Sequence, residues 1–183
     1  MVIDDVRAGF RLHMSGSTQL WGVTPDMLFY SKALANGYPL SALLGNNSLR
    51  DAARSVFVTG TFFTQAVPIA AALATLEFIE AGDGIAYMDA MGRRFCDGLR
   101  DAAASAGVSV HLSGPPAIPF LTFPDDQGSF ERSRVFATAC AEHGVFLHPA
   151  HNWFLSMAHT EADVDAAVEA ASEAFVVVRA AFS

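Results

Sequence analysis

Met27-Leu28-Phe29-Tyr30 is a short apolar run that leads, one residue later, into Lys32. Thr24-Pro25-Asp26 precedes it and Asn36-Gly37-Tyr38-Pro39 follows it, and both read as turns. Four apolar or aromatic residues between turns read as a strand. That strand delivers the only lysine of the chain; the other ten basic residues are arginines. An ammonium is costly to bury, and burial drives it toward the neutral, nucleophilic amine. Lys32 at the end of an apolar strand is therefore a candidate for Schiff-base chemistry. The plain alternative is a chain that favours Arg over Lys and carries Lys32 as an ordinary surface residue.

Two further junctions resemble this one. Met1-Val2-Ile3 reads as the tail of a buried strand closed by Asp4 and Asp5. A carboxylate at the C-terminal end of a strand lies where open α/β sheets keep their ligands, although an isolated Asp pair also serves as a turn or cap. Val56-Phe57-Val58 reads as another strand, followed by Thr59-Gly60-Thr61. Strand-to-loop junctions thus deliver a carboxylate, an amine and hydroxyls within about sixty residues. Between them, residues 7–22 read as a long loop broken by Gly9, Gly16 and Gly22, and residues 40–44 as a short buried strand ending at Gly45. Asn47 or Ser48 is placed to cap a short helix running to Arg54.

Residues 66–80 predict a helix that is apolar nearly all round, hence a buried one, with Pro68 tolerable in its first turn. Residues 85–106 predict a long amphipathic helix stopped by Gly107, with Arg93, Arg94, Asp97, Arg100 and Asp101 on its wet side. Strands are expected at 108–112, 120–123 and 145–147, with a helix over 129–142. Thr160 and Asp163 have the spacing of a capping box and open a last helix, in which Val164, Ala167, Val168, Ala171 and Phe175 share a face. The expected organisation is two domains, 1–84 and 85–183, with the 85–106 helix as bridge.

Composition removes several function classes. Hydrophobic residues make up 52% and charged ones 16%, enough for a sizeable core. The net charge of −8 provides no electrostatic footprint for nucleic acid or an anionic membrane. No apolar run approaches the ~20 residues that span a bilayer, and the first residues lack the basic flank of a signal peptide. Cys96 and Cys140 form neither a disulfide framework nor a metal quartet, which fits a reducing cytoplasm. His148, His151 and His159 invite a metal reading, but Pro149 interrupts them and no acidic partner sits at ligand spacing; packing or loop histidines are the better reading. There is no G-x-S-x-G elbow and no G-x-x-x-x-G-K-[ST] or G-x-G-x-x-G phosphate loop. Trp21, Tyr30, Trp153 and Phe154 are candidate pocket aromatics, or simply core.

Taken together, four stretches resemble the class III aminotransferases, pyridoxal-phosphate (PLP) enzymes of fold type I that include glutamate-1-semialdehyde aminomutase. They are Ile3-Asp4-Asp5-Val6-Arg7-Ala8-Gly9-Phe10-Arg11, Gly22-Val23-Thr24-Pro25-Asp26-Met27, Ser31-Lys32-Ala33-Leu34-Ala35-Asn36-Gly37-Tyr38-Pro39-Leu40, and Thr59-Gly60-Thr61-Phe62. Phe154-Leu155-Ser156-Met157-Ala158-His159-Thr160-Glu161 is similar to the family's C-terminal segment. The resemblance implies an α/β chain: the C-terminal part of the large PLP-binding domain followed by the small α+β domain. It implies amino-group transfer between an amine or amino acid and a carbonyl acceptor, through a Schiff base on Lys32. Asp4 matches the carboxylate that pairs with the pyridinium nitrogen, and Thr61 the threonine that reaches the cofactor phosphate of the neighbouring subunit, which implies a homodimer. Asp4-Asp5-Val6 departs from the usual Asp-Glu-Val, and Phe63-Thr64-Gln65-Ala66 from the usual Ser-Gly-Asn-Pro. His148-Pro149-Ala150-His151-Asn152-Trp153 does not match the aminomutase, so a general aminotransferase is preferred. The family's phosphate loop and ring-stacking aromatic belong to a half that would precede Asp4. The alternative expectation is therefore an inactive fragment that acts, if at all, as an interaction partner.

Overall fold

The computed structural model describes residues 1–183. The chain divides into two units, Met1–Ile85 and Ala86–Ser183.

In the first unit, β1 (Val2–Asp4), β2 (Met27–Tyr30) and β3 (Ala42–Gly45) form one sheet in the order β1-β2-β3. β1 and β2 are parallel, with Asp4 opposite Phe29; β2 and β3 are antiparallel, with Phe29 opposite Leu43. Residues paired in register share a face, so Val2, Asp4, Phe29 and Leu43 stand on one side and Ile3, Leu28, Tyr30 and Leu44 on the other. The loop after β1 is not featureless: Ser17–Trp21 forms a 3₁₀ turn that ends at Gly22 in the left-handed conformation. A further 3₁₀ turn, Asn47–Leu49, runs into α1 (Arg50–Ser55), and α2 spans Ala66–Ala81.

Several expectations for this unit are overturned. Residues 40–44 were expected as a buried strand; β3 begins at Ala42, and Leu43 and Leu44 are exposed at 56% and 48%. The cap expected for the short helix running to Arg54 is displaced: Asn46, not Asn47 or Ser48, accepts from the Ser48 amide at 3.0 Å, at the start of the 3₁₀ turn that leads into α1. Val56-Phe57-Val58 is not a strand, because no neighbouring strand takes up its backbone groups, and Phe57 is 90% exposed. α2 has the expected span but is not buried: Val67, Leu73 and Phe78 are exposed. An all-round apolar helix needs cover on every side, and this unit covers only one.

In the second unit, α3 (Gly84–Ser105), α4 (Glu131–Glu142) and α5 (Glu161–Ala181) pack with a two-stranded antiparallel ribbon of β4 (His111–Ser113) and β5 (Phe120–Thr122). The core is built from Phe95 and Leu99 of α3, Leu121 of β5, Phe123 just beyond it, Phe136 and Cys140 of α4, and Phe175 and Val178 of α5. Phe136 and Phe175 lie 4.6 Å apart, and Phe123 meets both rings edge-on. Such pairs add about 0.5–1.5 kcal/mol each beyond burial. The Arg94 guanidinium holds Asp165 with two bonds of 2.7 and 2.8 Å, tying α3 to α5. The predicted capping box is present: the Asp163 amide donates to the Thr160 hydroxyl, and the Thr160 amide donates to the Asp163 carboxylate.

Three expectations differ here. The strand expected over 108–112 is only His111–Ser113. The helix expected from Ser129 begins at Glu131, and buried Asp126 satisfies its start by accepting from the Arg132 and Ser133 amides. Val145–Leu147 is not a strand; the Val145 amide is taken by the Cys140 carbonyl in the turn that closes α4.

Candidate active site

β1 and β2 run parallel, so their C-terminal ends reach the same edge of the sheet. That edge receives Asp4 from β1 and the Ser31-Lys32 junction from β2. Asp4 is exposed, and the Val6 amide donates to its Oδ1 at 3.0 Å. One carboxylate oxygen is occupied locally; the second remains an acceptor. Lys32 has φ 46°, the left-handed region that a non-glycine residue enters at a cost. The turn holds it there: the Ser31 hydroxyl donates to the Leu40 carbonyl at 2.8 Å, the Leu34 amide donates to the Ser31 carbonyl at 2.9 Å, and Leu34 and Ala35 are buried. Lys32 makes no ion pair and is exposed, so the residues present do not supply the burial expected from its apolar neighbours. Thr61 lies in an exposed turn between α1 and α2, outside the sheet.

A buried group supports this edge, and sequence reasoning missed it. Asp5 is 1% exposed and accepts from both the amide (2.8 Å) and the hydroxyl of Ser17. Beside it, Tyr30 is also buried; its hydroxyl donates to the Ser15 carbonyl and its ring packs 4.8 Å from Phe10. Burial pushes the Tyr30 phenol up, and the neighbouring Asp5 charge adds to the effect. A Cβ at Gly9 would fall 2.5 Å from the Tyr30 ring, and one at Gly16, where φ is +93°, only 2.2 Å from its hydroxyl. The two loop glycines are thus required by close approach to Tyr30. The available signal was period-two alternation: adjacent residues leaving a strand face opposite sides, so Asp4 and Asp5 are expected in different surroundings.

Of the four candidate aromatics, Trp153 and Phe154 line a cavity of about 700 Å³ in the second unit, Tyr30 is core and Trp21 is exposed. Neither Asp4, Lys32 nor Thr61 lines that cavity.

The class-III aminotransferase family model matches residues 1–177. The chain belongs to this family. It is 44% identical over 178 residues to an aminopentol aminotransferase of Sphingopyxis macrogoltabida, covering 97% of this chain and 42% of that one. It is 34% identical over 182 residues to a 3-aminobutyryl-CoA aminotransferase of Cloacimonas acidaminovorans, covering 98% and 44%. The solved PLP internal aldimine form of the FumI protein of Sphingopyxis sp. MTA144 superposes with a TM-score of 0.95 at 44% identity, over 99% of this chain and 44% of that one. The class III chain therefore has the fold of part of a PLP-dependent transaminase, and spans less than half the length of the relatives it matches.

Proposed function

We propose that this chain carries the lysine half of a PLP-dependent aminotransferase site, for transfer of an amino group between an amine or amino acid and a carbonyl acceptor. The observation that carries the reading is the common sheet edge of Asp4 and Lys32, with Lys32 held at positive φ. Strained residues cluster at functional sites, and the parallel pairing of β1 and β2 supports the reading by bringing Asp4 and the Ser31-Lys32 junction to the same sheet edge. The residues fit the cofactor's chemistry: an amine without an ion-pair partner for its aldehyde, and a carboxylate with a spare acceptor for its ring nitrogen.

When bound, PLP serves as an electron sink for the substrate carbon that loses its proton. Asp4 would keep the proton on the ring nitrogen, because an adjacent carboxylate favours the charged form of that nitrogen. Lys32 would hold the cofactor through its amine, and as a free amine would carry a proton to and from the substrate carbon. Thr61, exposed in its turn, would donate its hydroxyl to the cofactor phosphate of a neighbouring copy, a role that calls for a homodimer. In this reading residues 1–84 belong to the large PLP-binding domain and 85–183 to the small domain, with α3 as the bridge between them.

One observation favours a second reading. Val2, Phe29 and Leu43 are exposed on the face that also carries Asp4. An apolar sheet face in water is a docking liability, and it suits a chain that acts only as an interaction partner. Titration with PLP, borohydride reduction and peptide mapping separates the two. Saturable labelling confined to Lys32 and lost in Lys32→Ala supports the aminotransferase site. Absence of an adduct, or labelling indifferent to Lys32→Ala, overturns it in favour of the interaction partner.

A further inference from the structure

The direction of the Asp4 carboxylate is set by its neighbour. Its Oδ1 accepts from the Val6 amide at 3.0 Å, and that N–H belongs to the peptide unit that joins Asp5 to Val6. The carbonyl of the same unit accepts from the Gly9 amide at 2.8 Å. One peptide earlier, the Asp5 amide donates to the Phe29 carbonyl at 3.0 Å, which carries the pairing of β1 with β2 past Asp4. The Asp5 side chain completes the set by accepting from the Ser17 amide at 2.8 Å and from the Ser17 hydroxyl. Amide, carbonyl and carboxylate of one residue are thus all engaged, and together they fix the peptide that holds Asp4.

Ser17 is itself anchored. Ser17 and Thr18 are buried, and the segment before them leans on β2 through Tyr30, whose hydroxyl donates to the Ser15 carbonyl at 3.3 Å. A buried carboxylate is costly unless donors satisfy it, and an apolar side chain would fill the same space without that cost. What the carboxylate adds is direction, because two donors on one residue fix where it stands. Direction matters at Asp4, since a carboxylate favours a neighbouring positive charge strongly only within about 4–6 Å. We infer that Asp5 and Ser17 are positioning residues that act through Asp4, holding its carboxylate where the cofactor's ring nitrogen would meet it. The inference rests on the aminotransferase reading of this sheet edge.

The test loads the full chain with PLP carrying an isotopic label in its ring nitrogen and follows that nitrogen's magnetic resonance shift against pH. The shift reports whether the nitrogen holds its proton. Asp4→Asn sets the full effect, a fall in the midpoint of about one to three pH units. Ser17→Ala keeps the Asp5 charge and the Ser17 amide bond; Asp5→Asn keeps the shape and one acceptor oxygen. Each leaves one bond between the two residues, so the fold survives. Both are expected to lower the midpoint by part of the Asp4→Asn shift, and to lower it no further when Asp4 is already Asn. A fall in either variant that vanishes in the Asp4→Asn background supports the positioning role. Unmoved midpoints in both overturn it. A fall that persists without the Asp4 carboxylate also overturns it, because the Asp5 charge then acts at a distance. If the unsubstituted chain forms no adduct on Lys32, the aminotransferase reading falls and the positioning role falls with it; an adduct with unmoved midpoints sinks the positioning role alone.

Discussion

At the residue scale, two neighbouring carboxylates have opposite fates. Asp4 is solvated and reaches the sheet edge, while Asp5 is buried against Ser17. Asp5→Ala strips both Ser17 donors of their acceptor. A buried unsatisfied group costs about 1–3 kcal/mol, and urea unfolding should show a loss of that order. Asp5→Asn keeps one acceptor oxygen and should lose less. Cys140 provides a second residue-scale test. It is fully buried in the core of the second unit, and burial pushes its thiol up to about 12. The unfolded thiol ionises near 8.5, so between there and about 12 the native state holds the extra proton. The stabilisation is complete below the unfolded value and falls as pH rises toward the folded one. Cys140→Ala should flatten the alkaline part of the stability profile, and a thiol reagent should label Cys140 only on unfolding. Both residues were visible in the sequence, but not their burial, which depends on segments 12 residues away for Asp5 and on α5 for Cys140.

At the element scale, α5 and α3 show what local sequence can and cannot reveal. The Thr160 capping box was legible because cap, spacing and partner lie within four residues. Thr160→Ala should cost about 1 kcal/mol of stability to urea. The Thr160 backbone and hydroxyl bonds, foremost, hold the Asp163 carboxyl below its ordinary value. Its contribution is therefore present above the unfolded value near 3.9 and lost as pH falls through the folded one. Gly92, in the middle of α3, reads as a defect worth about 1 kcal/mol against Ala. Packing outweighs that propensity: a Cβ there would lie 2.1 Å from the Pro116 carbonyl oxygen. Overpacking against backbone costs about 1–3 kcal/mol and outweighs the gain in propensity, so Gly92→Ala should lower the urea midpoint.

At the scale of the whole molecule, the two units differ in completeness. The second has a closed aromatic core spanning three helices and a ribbon. The first leaves Leu43 of the sheet, Phe57, Phe62 and Phe63 of the segment before α2, and Phe78 of α2 in water. Exposed apolar surface of this kind drives association. Light scattering should show a mass that rises with concentration, and Leu43→Asp or Phe57→Asp should shift it back toward the monomer. If the mass stays monomeric at all concentrations, these side chains form no interface.

By itself the sequence determined the Met27–Tyr30 strand, the spans of α2 and α3, the start of α5, the cap at Thr160, and the family motif around the lone lysine. These are local: turns, caps and periodicity act over a few residues, and the motif is read in order along the chain. Only the tertiary structure decided that β1 and β2 are parallel and so bring Asp4 and Lys32 to one edge, and that Asp5 rather than Asp4 is buried. It alone also showed α2 and β3 uncovered, residues 56–58 and 145–147 unpaired, and the imidazoles gathered around a cavity. Each of these depends on which distant backbone or side chain arrives alongside, and neither periodicity nor composition carries that information.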